Sequence, residues 1–277
     1  MKGVYECKVV ANTAEAPDIS RLVLSCPQIA REAEAGQFVN VRVSVMSDPL
    51  LRRPFSIECV NLDEGTFSLL YVIRGKATRL LADVAPGEML SVVGPLGKPF
   101  DVGCSDDAVH VLVAGGCGVA PIHFLCSSLV GKFGVDRVVV LVGAQTKSAV
   151  LCENDFRALG VNPLFSTNDG TYGAKGLVTD MLSDYFSTLP TGQNTAGVRV
   201  YACGPRDMLK EVARISREAQ VQSCQVSLEN VMACGIGVCL GCVQKIKCDS
   251  CGTPDEWLYK RVCTEGPVFE AGEVIWE

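Results

Sequence analysis

Histidine is nearly absent: His110 and His123 are the only two in 277 residues. That scarcity argues against histidine-ligated zinc and against histidine acid–base catalysis. No apolar run reaches the roughly 18 residues that a membrane-crossing helix needs. No basic run offers a face to a phosphate backbone or an anionic membrane either. With a formal net charge of −6, neither nucleic acid nor membrane is an expected partner. The opening residues carry Lys2, Glu6 and Lys8 without an apolar core, so no secretory signal is expected and a cytoplasmic setting is.

What is plentiful is cysteine, with 15 in the chain. An odd number cannot all pair internally, and in a reducing compartment clustered thiols mean metal or redox chemistry rather than disulfides. Hydrophobic residues make up 48%, so sizeable cores are expected, and the length allows two domains and a small third.

The densest cluster is the stretch Met-Ala-Cys-Gly-Ile-Gly-Val-Cys-Leu-Gly-Cys, which sets Cys234, Cys239 and Cys242 at C-x4-C-x2-C spacing, with Cys263 further on. Three thiolates in a glycine-rich loop suit a [2Fe–2S] cluster held by four cysteines. Glycine lets the backbone wrap tightly and turn its N–H groups on the sulfurs. Zinc or passive thiols are the alternatives. Cys248 and Cys251 form a further C-x2-C pair that could supply the fourth ligand or hold a second metal. Cys263 is favoured, because it follows a strand, 257–262, that can pair with 243–247.

Residues 1–101 show short alternating runs at 5–10, 19–25, 37–45, 55–60, 67–73 and 88–93, separated by turn signals. They predict a six-stranded antiparallel barrel. Two stretches inside it look suited to a flavin dinucleotide. Arg53-Pro54-Phe55-Ser56, preceded by Arg52, offers a guanidinium fork for a diphosphate and a hydroxyl for a ring edge; solvated arginines on an edge strand are the plain alternative. Leu70, Tyr71 and Val72 lead through Gly75 and Ala77 to Thr78, where a helix is predicted to start with free N–H groups.

Residues 102–222 change pattern. The apolar run 109–114 predicts a buried parallel strand, and Gly115, Gly116, Gly118 and Pro121 form the turn into a helix over 122–130. Strands over 137–142, 162–166 and 199–202 alternate with helices over 151–159, 176–185 and 206–219, predicting a doubly wound parallel sheet. Ligands of such sheets sit at strand C-termini, where Cys203, Gly204 and Pro205 fall beside the glycine turn. Cys203 is expected to face a nicotinamide or to be a small buried residue. Residues 223–277 are left as a cluster domain. The fold class is therefore α/β plus all-β, in three parts.

Taken in order, these motifs resemble the electron-transfer subunit of type B dihydroorotate dehydrogenase, in the ferredoxin–NADP⁺ reductase superfamily. Arg53–Ser56, the 75–78 segment (with Ala77 where the family has its second Gly), Gly-Gly-x-Gly-x-x-Pro at 115–121, the cysteine loop and the closing Cys-x-x-Gly-Pro-Val-Phe at 263–269 carry the likeness. The resemblance implies FAD, a [2Fe–2S] cluster and NAD as cofactors. It further implies an FMN-containing catalytic partner in a heterotetramer, and the relay of electrons from dihydroorotate to NAD⁺ in pyrimidine biosynthesis. It also implies Cys263 as fourth ligand, and that the chain relays electrons without catalytic residues of its own. A reductase subunit serving a ferredoxin, sulfide or hydrogenase partner is the rival enzyme. A zinc ribbon on Cys239, Cys242, Cys248 and Cys251 is the rival outside enzymes.

Overall fold

A computed structural model describes residues 3–44, 48–104, 107–188, 195–248 and 257–276. Its first part is a closed antiparallel barrel of β1 (Gly3–Ala16), β2 (Ile19–Ser25), β3 (Phe38–Arg42), β4 (Arg53–Asn61), β5 (Thr66–Val72) and β6 (Met89–Leu96), paired in the order β1-β2-β5-β4-β3-β6. The period-two pattern makes the barrel: along β2, Ser20, Leu22 and Leu24 turn inward and are buried while their neighbours are half-buried. Closure leaves no unpaired strand edge. Two short helices attach to it, α1 (Pro27–Glu32) and α2 (Lys76–Ala82). Asn12 ties α2 to the barrel, giving its amide to the carbonyls of Leu81 (2.8 Å) and Val84 (3.1 Å) and accepting from the Tyr71 hydroxyl (2.9 Å).

The second part is a seven-stranded sheet of β7 (Val109–Gly115), β8 (Val138–Ala144), β9 (Leu164–Thr167), β10 (Ala174–Lys175), β11 (Val198–Cys203), β12 (Ser223–Ser227) and, later in the chain, β15 (Val268–Glu270). Its order is β10-β9-β8-β7-β11-β12-β15, parallel except for β15. Helices α3 (Val119–Phe133), α4 (Glu153–Ala158), α5 (Val178–Thr188) and α6 (Arg206–Glu218) connect the strands. All of β7 after Val109 is buried, as a two-sided covering requires. The cluster segment adds a hairpin, β13 (Val243–Lys247) with β14 (Trp257–Arg261), in the expected antiparallel pairing.

Three differences from the sequence reading have physical causes. Helix α1 went unseen because six residues carry no periodicity. Helix α2 starts at Lys76, so Thr78 is its third residue rather than its start. The expected boundary at 222 falls just before β12, which pairs in parallel with β11 and belongs to the sheet. The polar run Ser223, Gln225, Ser227 hid that strand. Gln225 is buried because it meets the chain between barrel and sheet, taking the Asp101 N–H at 2.9 Å and donating to the Asp101 carbonyl at 2.8 Å. Residue 45 of the predicted third strand, and Cys251, lie outside the described residues.

Replacing Gln225 with Ala should remove both hydrogen bonds to Asp101, whose carbonyl keeps only the longer contact from the Tyr201 hydroxyl (3.5 Å), and lower stability by about 1 kcal/mol. Urea unfolding would read this as a lower midpoint at unchanged slope; a midpoint equal to that of the unaltered chain refutes it.

Candidate functional site

The cysteine loop packs on the barrel rather than standing free. Positive φ at Gly235 (+70°), Gly237 (+87°) and Leu240 (+58°) folds it back on itself. A Cβ at Gly235 would come within 2.5 Å of Asn40 Nδ2, and that amide lies 3.4 Å from the Cys234 carbonyl. Arg261 clamps the far side, donating to the Gly237 carbonyl (3.1 Å) while paired with Glu265 (2.9 Å).

The four sulfurs lie close enough to act on one another, Cys239 on Cys234 and Cys242 on Cys263 most strongly, with Cys234 also acting on Cys263. Backbone donors face them: the Cys239 N–H to Cys234 Sγ at 3.4 Å, Gly241 to Cys239 at 3.5 Å, and Cys263 to Cys242 at 3.4 Å. Burial raises the Cys234 thiol, but the N–H groups of Ile236, Cys239 and Val238 outweigh it and bring it down to about 6. Burial and the neighbouring Cys242 push Cys263 up to about 11. Among the described residues no three of these sulfurs lie within 4.8 Å of one another, which a single tetrahedral ion would demand. A two-iron cluster takes one sulfur pair per iron, so the donor set fits it. Cys248 is disulfide-bonded, contrary to the expectation that the clustered thiols form no disulfides, and this leaves the zinc-ribbon set without a thiolate there.

The flavin stretch lies beside this loop. In the β3–β4 ladder Asn40 stands opposite Pro54. Residues 52–56 are all half-buried, breaking the in-out alternation of a closed barrel and marking one open cleft wall. Arg52 is spent within the barrel, on the Ser91 carbonyl at 2.6 Å, whereas Arg53 reaches only the carbonyls of Leu51 and Arg52 next to it. The Ser56 hydroxyl makes no hydrogen bond to a described residue, and buried Asn40 Oδ1 has none either. Leu70 and Tyr71 have buried side chains, leaving backbone as what they can offer. The Thr78 hydroxyl takes the N–H groups of Arg74 (2.9 Å) and Gly75 (3.1 Å), and open space surrounds Gly75. Buried Ala77 likewise offers backbone alone. A free hydroxyl, an orphaned buried acceptor and an uncrowded glycine fit a dinucleotide flavin.

The two predicted nucleotide elements do meet. A Cβ on Gly118 would lie 2.3 Å from the Cys203 carbonyl, and one on Gly115 would lie 3.0 Å from Pro205. Gly204 (φ +158°) is packed against Gly115 in return, and Pro121 sits buried in the first turn of α3. Gly116 (φ +54°) faces open space. Cys203 is 2% exposed and burial pushes its thiol up to about 12, so it is a buried thiol rather than an open one. Sequence reasoning missed two charged groups here. Burial holds the Glu229 carboxyl above its usual range, against the pull of Arg74, and both act on Cys117 in the glycine turn.

Comparisons with known proteins follow the same three parts. Residues 6–100 match an oxidoreductase FAD-binding domain, 112–214 an oxidoreductase NAD-binding domain, and 229–275 the iron–sulfur cluster binding domain of dihydroorotate dehydrogenase B. The chain is 37% identical over its full 277 residues, and the relative's full length, to the electron transfer subunit of dihydroorotate dehydrogenase B (NAD(+)) of Desulforamulus reducens. It is 39% identical over 269 residues to that of Bacillus mycoides, covering 96% of this chain and 97% of the relative. Among solved structures, an NADH-dependent reduced ferredoxin-NADP oxidoreductase aligns over 100% of this chain and 92% of its own, with TM-score 0.80 and 26% identity. A ferredoxin NADP⁺ reductase from Neisseria gonorrhoeae (TM-score 0.64, 16% identity, 78% of this chain and 91% of its own) shares the fold.

Cys239→Ser should abolish the visible absorption of the cluster and leave flavin absorption intact. Simultaneous loss of flavin from a folded chain would mean the two sites are not separate. Gly118→Ala drives a methyl into the Cys203 carbonyl, so NADH binding should weaken at least about tenfold, with a loss of about 1–3 kcal/mol in stability. Titration of NADH and thermal unfolding check both.

Proposed function

This chain belongs to the family of dihydroorotate dehydrogenase B electron-transfer subunits, and on that premise we propose that it relays electrons between a catalytic subunit's FMN and NAD⁺ through a [2Fe–2S] cluster and FAD. The observation that carries this reading is the gathering of four sulfurs by a loop packed on β3, the strand that pairs with the flavin strand β4. FAD, when bound, converts one-electron traffic into hydride chemistry. The balance is that dihydroorotate gives up two electrons and two protons, NAD⁺ takes both electrons and one proton, and the other proton goes to water.

The chain's own residues supply binding, orientation and exclusion. Arg53 would meet the flavin diphosphate and the Ser56 hydroxyl the ring edge, with Pro54 and Phe55 shaping the wall. Backbone from Leu70, Val72, Gly75 and Ala77, together with Thr78, would hold the rest. Gly115, Gly116, Gly118 and Pro121, with Gly204 and Pro205, would receive the nicotinamide nucleotide. Cys234 and Cys239 would bind one iron, Cys242 and Cys263 the other. The chain divides into a flavin barrel, a nucleotide domain extending through β12, and a cluster domain.

The relatives are named electron transfer subunits, which supports placing the pyrimidine site on a separate partner subunit. We take that partner to be an FMN protein, assembled two and two with this chain in the cytoplasm. No helix among the described residues is long and apolar enough to cross a membrane. The full-length likeness to a ferredoxin-NADP oxidoreductase favours, as second reading, a reductase subunit serving a ferredoxin.

The test is reconstitution. Holo-chain mixed anaerobically with an FMN-bearing dihydroorotate dehydrogenase subunit should co-elute with it and permit NAD⁺ reduction by dihydroorotate. The chain alone should oxidise NADH with an artificial acceptor and ignore dihydroorotate. A chain that stays monomeric beside that subunit and instead reduces ferredoxin would decide for the second reading.

A further inference from the structure

Where barrel and nucleotide domain meet, the structure buries a cluster of charge that the electron relay does not use. Glu58 on β4 lies two residues past Ser56, at a β-bulge between Ile57 and Cys59, the device by which strands re-aim a side chain. His123 lies on α3, just inside the helix that the glycine turn opens. The two are 2% and 5% exposed. His123 Nδ1 is 3.0 Å from Glu58 Oε1 and 3.1 Å from the Glu58 carbonyl oxygen, so one protonated nitrogen addresses both.

We propose that Glu58 and His123 are a positioning pair that locks the flavin strand β4 to the nucleotide helix α3, and so holds the two cofactor sites at one separation. This rests on the site assignment made above. Nothing else joins those two particular elements through charge among the described residues.

The groups facing the pair come from every element around it. Ser68 on β5 donates to Glu58 Oε2. Arg21 on β2 reaches Glu58 Oε1 at 3.6 Å and Asp155 on α4 at 2.6 Å. Cys152 lies 3.9 Å from Glu58 Oε1 at the start of α4, Cys59 adjoins on β4, and Glu15 on β1 is 3.7 Å from Arg21 Nε at the rim. With Glu15 at the partly exposed rim, the inner carboxylates Glu58 and Asp155 are therefore balanced by Arg21 and a protonated His123. A neutral His123 would leave one buried negative charge in excess, which is costly at low dielectric.

Burial acting alone would lower the imidazole, but the Glu58 hydrogen bond and charge more than reverse it, and His123 stays above its ordinary range. Burial likewise would raise Glu58, and His123, Arg21 and Ser68 together hold it low. Glu58, Cys152 and Asp155 place donor atoms within 4.8 Å of one another, a spacing that would suit a metal ion. The Arg21 guanidinium already lies among all three, at 3.6, 3.8 and 2.6 Å, so the cation there is organic.

The test uses the holo-chain with FAD bound, as Glu58→Gln, His123→Gln and the double variant. Stopped-flow mixing with NADH should show flavin reduction at saturating NADH slowed about tenfold or more, since small misplacements are amplified in transfer rates. The NADH dissociation constant should move less than about threefold, and the double variant should be no worse than the worse single one. A second readout needs no turnover. Because folding raises His123, its stabilisation is complete below about pH 6.5 and is lost as pH rises through the folded value. The thermal midpoint of the unaltered chain should fall along that arm, and His123→Gln should flatten it.

Variants that unfold earlier yet reduce flavin at the unaltered rate would reveal a plain bolt and overturn the proposal. If neither variant folds, the unaltered chain decides: its saturated reduction rate must fall over the same pH arm, and a flat profile overturns the idea. A chain whose bound FAD NADH never reduces would fail earlier, at the site assignment itself.

Discussion

Two backbone hydrogen bonds tie the closing segment of this molecule to both of its larger parts. The Lys98 N–H, where the barrel ends, donates to the Gly266 carbonyl at 2.6 Å, and the Leu228 N–H, where β12 ends, donates to the Pro267 carbonyl at 2.9 Å. The next residues become β15 and pair with β12. A two-stranded hairpin such as β13–β14 is marginal in isolation. It is ordered here because the chain on one side is held by Asn40 of the barrel and the chain on the other side is knitted into the sheet. Every cofactor site thus shares one frame, which matters because electrons and hydride both pass only across short, fixed gaps.

Within that frame the cysteine loop uses one device repeatedly. It spends its left-handed positions, at Gly235, Gly237 and Leu240, on turning N–H groups inward. Those dipoles favour thiolate over thiol at Cys234 and would offset the negative charge of a bound cluster. The outward face of the same loop is apolar, with Val231 84% and Val238 76% exposed. Polar groups are turned to the sulfurs and apolar ones to the outside, the arrangement expected where a partner covers the loop.

Much of this was legible from residue order, for identifiable reasons. The barrel strands followed from period-two alternation, and β7 from an unbroken apolar run. The cysteine spacing named the cluster because few chemistries need that spacing. Other features left no local trace. Helix α1 is shorter than the period that would reveal it. Strand β12 is written in serine and glutamine, and its burial makes sense only once Asp101, more than a hundred residues earlier, is seen against Gln225. Cys203 could be placed at a strand end but not assigned a depth, since small residues serve equally as site or filler. Glu58, His123, Glu229 and Arg74 belong to no motif and acquire meaning only from what surrounds them.

A charged pair set within the apolar contact that runs from barrel into nucleotide domain follows from the same need for a fixed gap. An apolar seam would be as adhesive, since burial of carbon is favourable in any register, but for that reason it tolerates sliding. A buried carboxylate and imidazole have one good geometry and are unfavourable in every other, so they select a register at some expense in stability. Glu58 sits at a bulge where the barrel ladder is already interrupted, so aiming it across the seam breaks no further pairing. His123 sits on the helix that the glycine turn launches, and any slip of that helix would move the nucleotide end with it. Charge is therefore buried where a shift of an ångström matters most, and the apolar cluster that surrounds it and spans both parts is left to supply the stability.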